Sequence, residues 1–324
     1  MGLLDRLKAI FSGGYEPRKR AEAPPAGPAA RGEPPSRGGK AGRPAGTLSL
    51  MDLSSRMGLP ASDMQSVSVA YDEFTIPKRR GGKRRILSPR PELKDLQRRI
   101  LRRVLGRLRA HPAATGFERG RSIVTHARLH TGAAVVVRMD IQDFFPSTAA
   151  ARVREYFQAI GWSAEPAEQL VKWCTHNGQL PQGAPTSPRL SNLVNYALDA
   201  RLAALAEKLG AAYSRYADDI TFSFDEDSRA AVAAAIRVTK RVVAGYGYKL
   251  HLKQKLSIRR RHQRQAVTGL VVNDGVRLPR ETRRRLRAIR HRHAAGKDAT
   301  LTADQLAGWT ALENMIAKQA GQKA

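Results

Sequence analysis

The stretch "AAYSRYADDITFSF" at 211–224 sets two adjacent aspartates, Asp218 and Asp219, inside a run of strand-forming residues. Neighbouring carboxylates repel each other, and burying either one is costly unless a cation or partner compensates. Tyr213 and Tyr216 precede the pair, and Ile220, Thr221, Phe222 and Phe224 follow it. The chain is therefore expected to form a hairpin here with Asp218 and Asp219 at its tip. Such a tip is either a solvated turn, since Asp favours turns, or one side of a divalent-cation site. The second reading needs a third carboxylate.

Asp140 can supply it. In "AAVVVRMDIQDFF" an apolar strand from Val135 to Met139 ends in Asp140, where a side chain can reach out from the end of a sheet. If that strand lies beside the hairpin, Asp140, Asp218 and Asp219 converge. Hard oxygen ligands suit Mg²⁺, and two such ions serve phosphoryl transfer. Any one of these aspartates alone is more often structural; the combination carries the signal. The chain has 57 Lys and Arg against 28 Asp and Glu, a formal charge of +29. That excess points to a polyanionic partner. A carboxylate trio on a small sheet in so basic a chain points to nucleotide polymerisation.

The charge is not confined to a tail. "MGLLDRLKAIF" at the start has helical spacing, and residues 12–46 are a Pro- and Gly-rich stretch that reads as a disordered linker. That stretch has 7 basic and 3 acidic residues, so +25 lies elsewhere. From Thr47 the pattern is globular. A short helix at about 48–59 precedes two strands, 72–89, joined by Gly81-Gly82 and loaded with Lys and Arg. An amphipathic helix follows at 91–110. Further helices are expected at 148–160, 165–174, 187–208 and 228–244. Strands are expected at 255–260, 266–271 and 276–278, and two final helices at 280–295 and 302–319. The first of these carries Arg283, Arg284 and Arg287 among seven arginines.

Other classes are excluded. A single cysteine, Cys174, rules out an intrachain disulfide and a cysteine-rich zinc site. No apolar run is long enough to span a bilayer and the N-terminus has no secretory core, so a cytoplasmic protein is expected.

"YADD", "VRMDIQDFFPS" and "LPQGAPTSPRLSNL" resemble the palm motifs of reverse transcriptases in content, order and spacing, over a region from about Leu48 to the last helix. Within that family the chain resembles bacterial retron enzymes. "THARLH" keeps Ala127 and His130 of the retron Asn-Ala-x-x-His motif, with His126 in place of Asn. "AVTGLVVN" contains the Val-Thr-Gly triplet Val267, Thr268 and Gly269.

The resemblance implies an α+β right-hand polymerase: fingers at 47–133, a ferredoxin-like palm at 134–275 with part of 141–190 contributing to the fingers, and a short helical thumb at 276–324. It makes Asp140, Asp218 and Asp219 a metal triad for two Mg²⁺ ions, with Mn²⁺ as a possible substitute, and adds the backbone carbonyl of Ile141. Phe145 matches a bulky gate under the nucleotide sugar, while Phe144 reads as core. Gln182 and Gly183 would lie against the nucleotide and template. Lys83, Arg84 and Arg85 fall where fingers residues meet the triphosphate, with Arg84 the first choice. In "LHLKQKLSI", Lys255 stands for the family's triphosphate-site lysine, although the accompanying Asn and Thr are missing; Lys253 is the substitute. His130, Val267, Thr268, Gly269, Arg283, Arg284 and Arg287 are implied RNA contacts.

The implied activity is RNA-templated synthesis of branched multicopy single-stranded DNA from dNTPs on a cognate structured noncoding RNA, within an anti-phage defence system that includes an effector protein. The alternatives are another bacterial reverse transcriptase (group II intron-like, diversity-generating or abortive-infection type) or a non-catalytic RNA-binding scaffold.

Overall fold

A computed structural model describes residues 47–78, 81–253 and 255–320. The expected N-terminal helix and linker, residues 1–46, lie outside the described residues.

The first elements are helices α1 (Leu50–Met57) and α2 (Ala61–Ser66), strands β1 (Tyr71–Pro77) and β2 (Lys83–Pro89), and helix α3 (Pro91–Arg103). Ser49 and Asp52 close a reciprocal capping box on α1, and Gly58 ends it in the left-handed conformation. β1 and β2 form the expected antiparallel hairpin. α3 stops at Arg103 rather than 110. The chain folds back so tightly that a Cβ at Gly106 would sit 2.6 Å from the Arg102 carbonyl. Val104 and Leu105 still pack in the core, so the apolar rhythm runs past the helix end.

The next elements are α4 (Ile123–Arg128), β3 (Val135–Asp140), α5 (Ala150–Ala159), α6 (Ala164–Cys174), α7 (Ser187–Val194) and α8 (Tyr196–Lys208). The single helix expected at 187–208 is broken at Asn195. The Asn195 side chain donates to the Ser191 carbonyl at 2.8 Å and to the Tyr248 hydroxyl at 2.8 Å. The aspartate hairpin forms as β4 (Ala211–Tyr216) and β5 (Asp219–Phe224), followed by α9 (Arg229–Gly245) and β6 (Ser257–Arg260).

These strands make one antiparallel sheet of order β4-β5-β3-β6. Strand periodicity divides its residues. Val135, Val137, Met139, Ile220 and Phe222 pack with Leu198 and Leu202 of α8 and Ala235 and Val243 of α9. Val136, Arg138, Asp140, Ser214, Thr221, Ser223 and Asp219 alternate onto the other face.

The strand expected at 266–271 is instead a small hairpin, β7 (Ala266–Val267) and β8 (Leu270–Val271). Thr268 and Gly269, with φ of 47° and 86°, form its two-residue turn. The strand expected at 276–278 is reduced to one bridge between Val271 and Arg277. Helices α10 (Arg280–Ala294) and α11 (Ala303–Ala320) complete the fold.

The described residues form three apolar cores. One joins α1, α3, α5 and α6; the second lies under the sheet; the third joins β7 and β8 with α10 and α11. α4, which the sequence placed with the first region, packs in the third core through Ile123, Val124 and Ala127. No helix among the described residues is long and apolar enough to cross a membrane.

Candidate active site

The β3–β5 register sets Asp140 directly opposite Asp219, and the β4–β5 register sets Asp219 opposite Tyr216. Ala217 and Asp218 are the turn between them, with Ala217 at φ 56°. The amide of Ile141 donates to the Asp218 carbonyl at 2.9 Å, tying this turn to the end of β3. From the core side, Arg215 donates to the Ala217 carbonyl at 3.0 Å. Arg215 is itself fully buried in a two-pronged pair with Asp199, at 2.7 and 2.6 Å. The Tyr213 hydroxyl donates to the same carboxylate at 2.7 Å. The aspartate turn therefore rests on a buried ionic foundation.

The three carboxylates have different partners. Lys255 Nζ lies 2.6 Å from Asp140 Oδ1, while Arg138 lies 3.1 Å from Asp219 Oδ1. Arg138 also donates to the Ala266 carbonyl, linking Asp219 to β7. Burial pushes the Asp140 carboxyl up, and Lys255 pulls it partly back. Asp218 is pushed up to about 7, first by desolvation and then by the charges of Asp219 and Asp140. Among the described residues, no three Asp, Glu, His or Cys side chains form a ready-made cation cage. Internal cations hold two of the three carboxylates instead. The donor set is nonetheless all hard oxygen, and the repulsion on Asp218 is what a divalent cation relieves. The residues fit such an ion once Lys255 leaves Asp140.

Other predicted residues fall around this cluster. Phe144 is buried beneath the Arg215 guanidinium, whereas Phe145 is half-buried. The Gln182 carbonyl accepts the Leu87 amide at 2.9 Å, so the Gln182–Gly183 segment lies along the outer edge of β2. A Cβ at Gly183, where φ is 132°, would meet the Leu87 carbonyl at 2.6 Å. The close approach that this glycine permits is thus to β2. Alternation in β2 puts Arg84 on the face of Ile86, which touches Gly183, and Lys83 and Arg85 on the opposite face. Arg85 pairs with Glu73 across the hairpin. Lys253 is exposed, and Lys255 is the lysine that reaches the carboxylates.

The implied RNA contacts divide into two groups. His130 is 1% exposed, with its ring nitrogens 2.8 Å from Ser223 Oγ and 2.6 Å from Ser214 Oγ. Burial pushes its pKa down to about 3. A direct RNA contact by His130 is therefore corrected: it is a neutral peg between the segment after α4 and the sheet. Val267 is fully buried in the third core, and Thr268 Oγ1 donates to the Ile123 carbonyl at 3.1 Å. These two residues also face inward, because the Val-Thr-Gly turn packs on α4. Gly269, Arg283, Arg284 and Arg287 are exposed. Arg283 and Arg284 line a cleft of about 850 Å³ with Arg264, Arg277 and Arg280.

Sequence reasoning missed Arg138, Arg215 and Asp199. Arg215 is a charged residue set among strand formers in β4, and its complete burial demands a buried partner. In the loop "TGFERG", Phe117 has φ 63°.

A reverse transcriptase (RNA-dependent DNA polymerase) family profile matches residues 76–270. The chain is 40% identical over 279 residues to the retron Mx162 reverse transcriptase of Myxococcus xanthus, covering 76% of this chain and 57% of that protein. It is 39% identical to the retron Mx65 reverse transcriptase of the same organism, covering 76% and 61%. To the retron Ec86 reverse transcriptase of Escherichia coli it is 36% identical, covering 74% of each. The chain thus spans about three fifths of the length of the two Myxococcus relatives. With the palm motifs lying within the matched region, the chain belongs to the reverse transcriptase family, among the retron reverse transcriptases.

Proposed function

We propose that this chain is an RNA-directed DNA polymerase that copies part of a cognate structured noncoding RNA into DNA. The observation that carries the reading is the junction of Asp140, Asp218 and Asp219 at one end of the sheet, in a chain of charge +29. Asp140, Asp218, Asp219 and the Ile141 carbonyl would hold two Mg²⁺ ions, or Mn²⁺ in their place. The chemistry supplied at these residues, with the ions bound, would be Lewis-acid activation of the attacking hydroxyl and charge stabilisation of the leaving pyrophosphate.

The chain's own groups do the rest. Lys255 neutralises Asp140 in this structure and, released from that pair, would be placed to meet the triphosphate. Arg138 keeps Asp219 oriented. Arg84, with Lys83 and Arg85 on the other face of the strand, supplies charge for the triphosphate. Phe145 occupies the volume that a 2′-hydroxyl would need, and Gln182 with Gly183 lines the nucleotide and template side. Arg283, Arg284 and Arg287 grip RNA phosphates. Gly269 presents the exposed backbone of the Val-Thr-Gly turn to the RNA.

By the family resemblance, priming would use a 2′-hydroxyl of the same RNA, giving a branched RNA–DNA product. The product and the enzyme would serve an anti-phage system together with an effector protein. Sequencing the nucleic acid that copurifies with the protein tests this. The expected result is one noncoding RNA joined through a 2′–5′ branch to single-stranded DNA. Bulk cellular RNA with no attached DNA would overturn the retron-specific part.

A further inference from the structure

Phe117 lies in the loop between α3 and α4, outside every motif that carries the family resemblance. Its backbone is left-handed, with φ 63°, and its side chain is 39% exposed. A bulky residue in that region is strained and persists only where its surroundings enforce it. Here they do.

Residues 113–118 are pinned on several sides. Ala113 and Thr115 exchange backbone hydrogen bonds with Arg215 of β4, at 2.8 and 2.9 Å. The Gly116 carbonyl accepts from Asn192 Nδ2 at 2.6 Å. The Glu118 carboxylate accepts from Asn192 at 2.9 Å and pairs with Arg189. Gly116 presses on the aspartate turn so closely that a Cβ would lie 2.8 Å from the Ala217 amide nitrogen. Two left-handed residues, Phe117 and Ala217, thus flank one contact, and a third, Asp143, stands two positions before Phe145.

The clamp aims one ring at one place. The Phe117 ring is 6.2 Å from Phe145, tilted by 43°, and 6.2 Å from Tyr216, tilted by 41°. Both distances lie in the range of favourable aromatic pairs. Phe117 therefore links the half-buried Phe145 to the strand that ends at the aspartate turn.

We propose that Phe117 is a positioning residue for sugar selection: it buttresses Phe145 against the ribose of the incoming nucleoside triphosphate. This rests on the reading of Phe145 as the sugar gate. A gate excludes a 2′-hydroxyl only if it cannot swing away. The gate's other ring neighbour, Phe144, is fixed in the core, so Phe117 supplies support from the exposed side.

The test compares Phe117→Gly, Phe117→Ala, Phe117→Tyr, Phe145→Ala and the Phe117→Gly/Phe145→Ala pair in the full chain. Each extends an oligo(dT) primer on poly(rA) with dTTP or UTP, and kcat/KM is measured for both, together with thermal stability. Phe117→Gly removes the ring while relieving the backbone, so it keeps or raises the melting temperature. Its ratio of UTP to dTTP efficiency should rise roughly two- to tenfold, the range one aromatic contact sustains. Phe117→Tyr should keep the wild-type ratio. On the Phe145→Ala background, Phe117→Gly should add nothing. An unchanged ratio in Phe117→Gly and Phe117→Ala, or equal losses for both nucleotides, overturns the proposal. An additive rise on the Phe145→Ala background overturns the route through Phe145. If Phe145→Ala itself leaves the ratio unchanged, the gate reading fails, and the buttress with it.

Discussion

Asp199→Ala tests whether the aspartate turn rests on a buried ion pair. Asp199 and Arg215 have no exposed side-chain surface and are joined by two hydrogen bonds. Removing the carboxylate leaves the guanidinium buried and unpaired, which costs about 3–5 kcal/mol. The Tyr213 hydroxyl loses its acceptor as well, which places the loss toward the upper end of that range. Against a total stability of about 5–15 kcal/mol, this is severe. At roughly 2–4 °C per kcal/mol, the melting temperature falls by about 10 °C or more. Urea unfolding followed by tryptophan fluorescence measures it, with Trp162 and Trp173 buried as reporters. The double variant Asp199→Leu/Arg215→Met removes both charges and should recover much of the loss. A loss below about 1 kcal/mol for Asp199→Ala, at unchanged denaturant slope, would refute the argument.

Three further outcomes follow from the geometry. Asp218, pushed up to about 7, binds its proton more tightly folded than unfolded, so its contribution to stability is lost as pH rises through 7. In EDTA at pH 8, Asp218→Asn should therefore be more stable than the native chain, on the order of 2 kcal/mol after allowing for solvent screening, with the gain fading from pH 7 towards 4; a gain that does not change with pH contradicts this. Gly183→Ala should lower thermal stability and dNTP affinity together, because the new Cβ meets the Leu87 carbonyl at 2.6 Å; an unaffected melting temperature would mean β2 yields freely. Replacing Arg283, Arg284 and Arg287 by Gln should weaken RNA binding and flatten its dependence on log salt by about 0.7–0.9 for each phosphate that is no longer neutralised. An unchanged slope removes these arginines from the phosphate interface.

Much of this was legible because local rules and tertiary structure agree. Alternation in 135–140 and 211–224 marks strands, and the two turn glycines mark the β1–β2 hairpin. The three aspartates were found from cost alone, since carboxylates placed among strand formers require a reason. Legibility failed where a residue's partner is remote in sequence. Nothing near His130 announces Ser214 and Ser223, so an inward peg resembled an outward contact. Local propensity places Thr268 within a strand, whereas packing on α4 and a hydrogen bond to Ile123 hold this β-branched residue in a left-handed turn. The helix break at Asn195 depends on Tyr248, 53 residues away. The lysine and arginine that neutralise Asp140 and Asp219 likewise emerge only from the folded chain.

In the proposed function, Asp140 and Asp218 serve nucleotide addition while the basic surface holds RNA. Primer extension on an RNA template with dNTPs and Mg²⁺, run beside a filter-binding assay, tests it most directly. The native chain should extend the primer. Asp140→Asn and Asp218→Asn should each reduce extension to background while RNA affinity stays within about twofold, because the excess of Lys and Arg dominates binding. Extension by either variant at near-native rates would contradict the account.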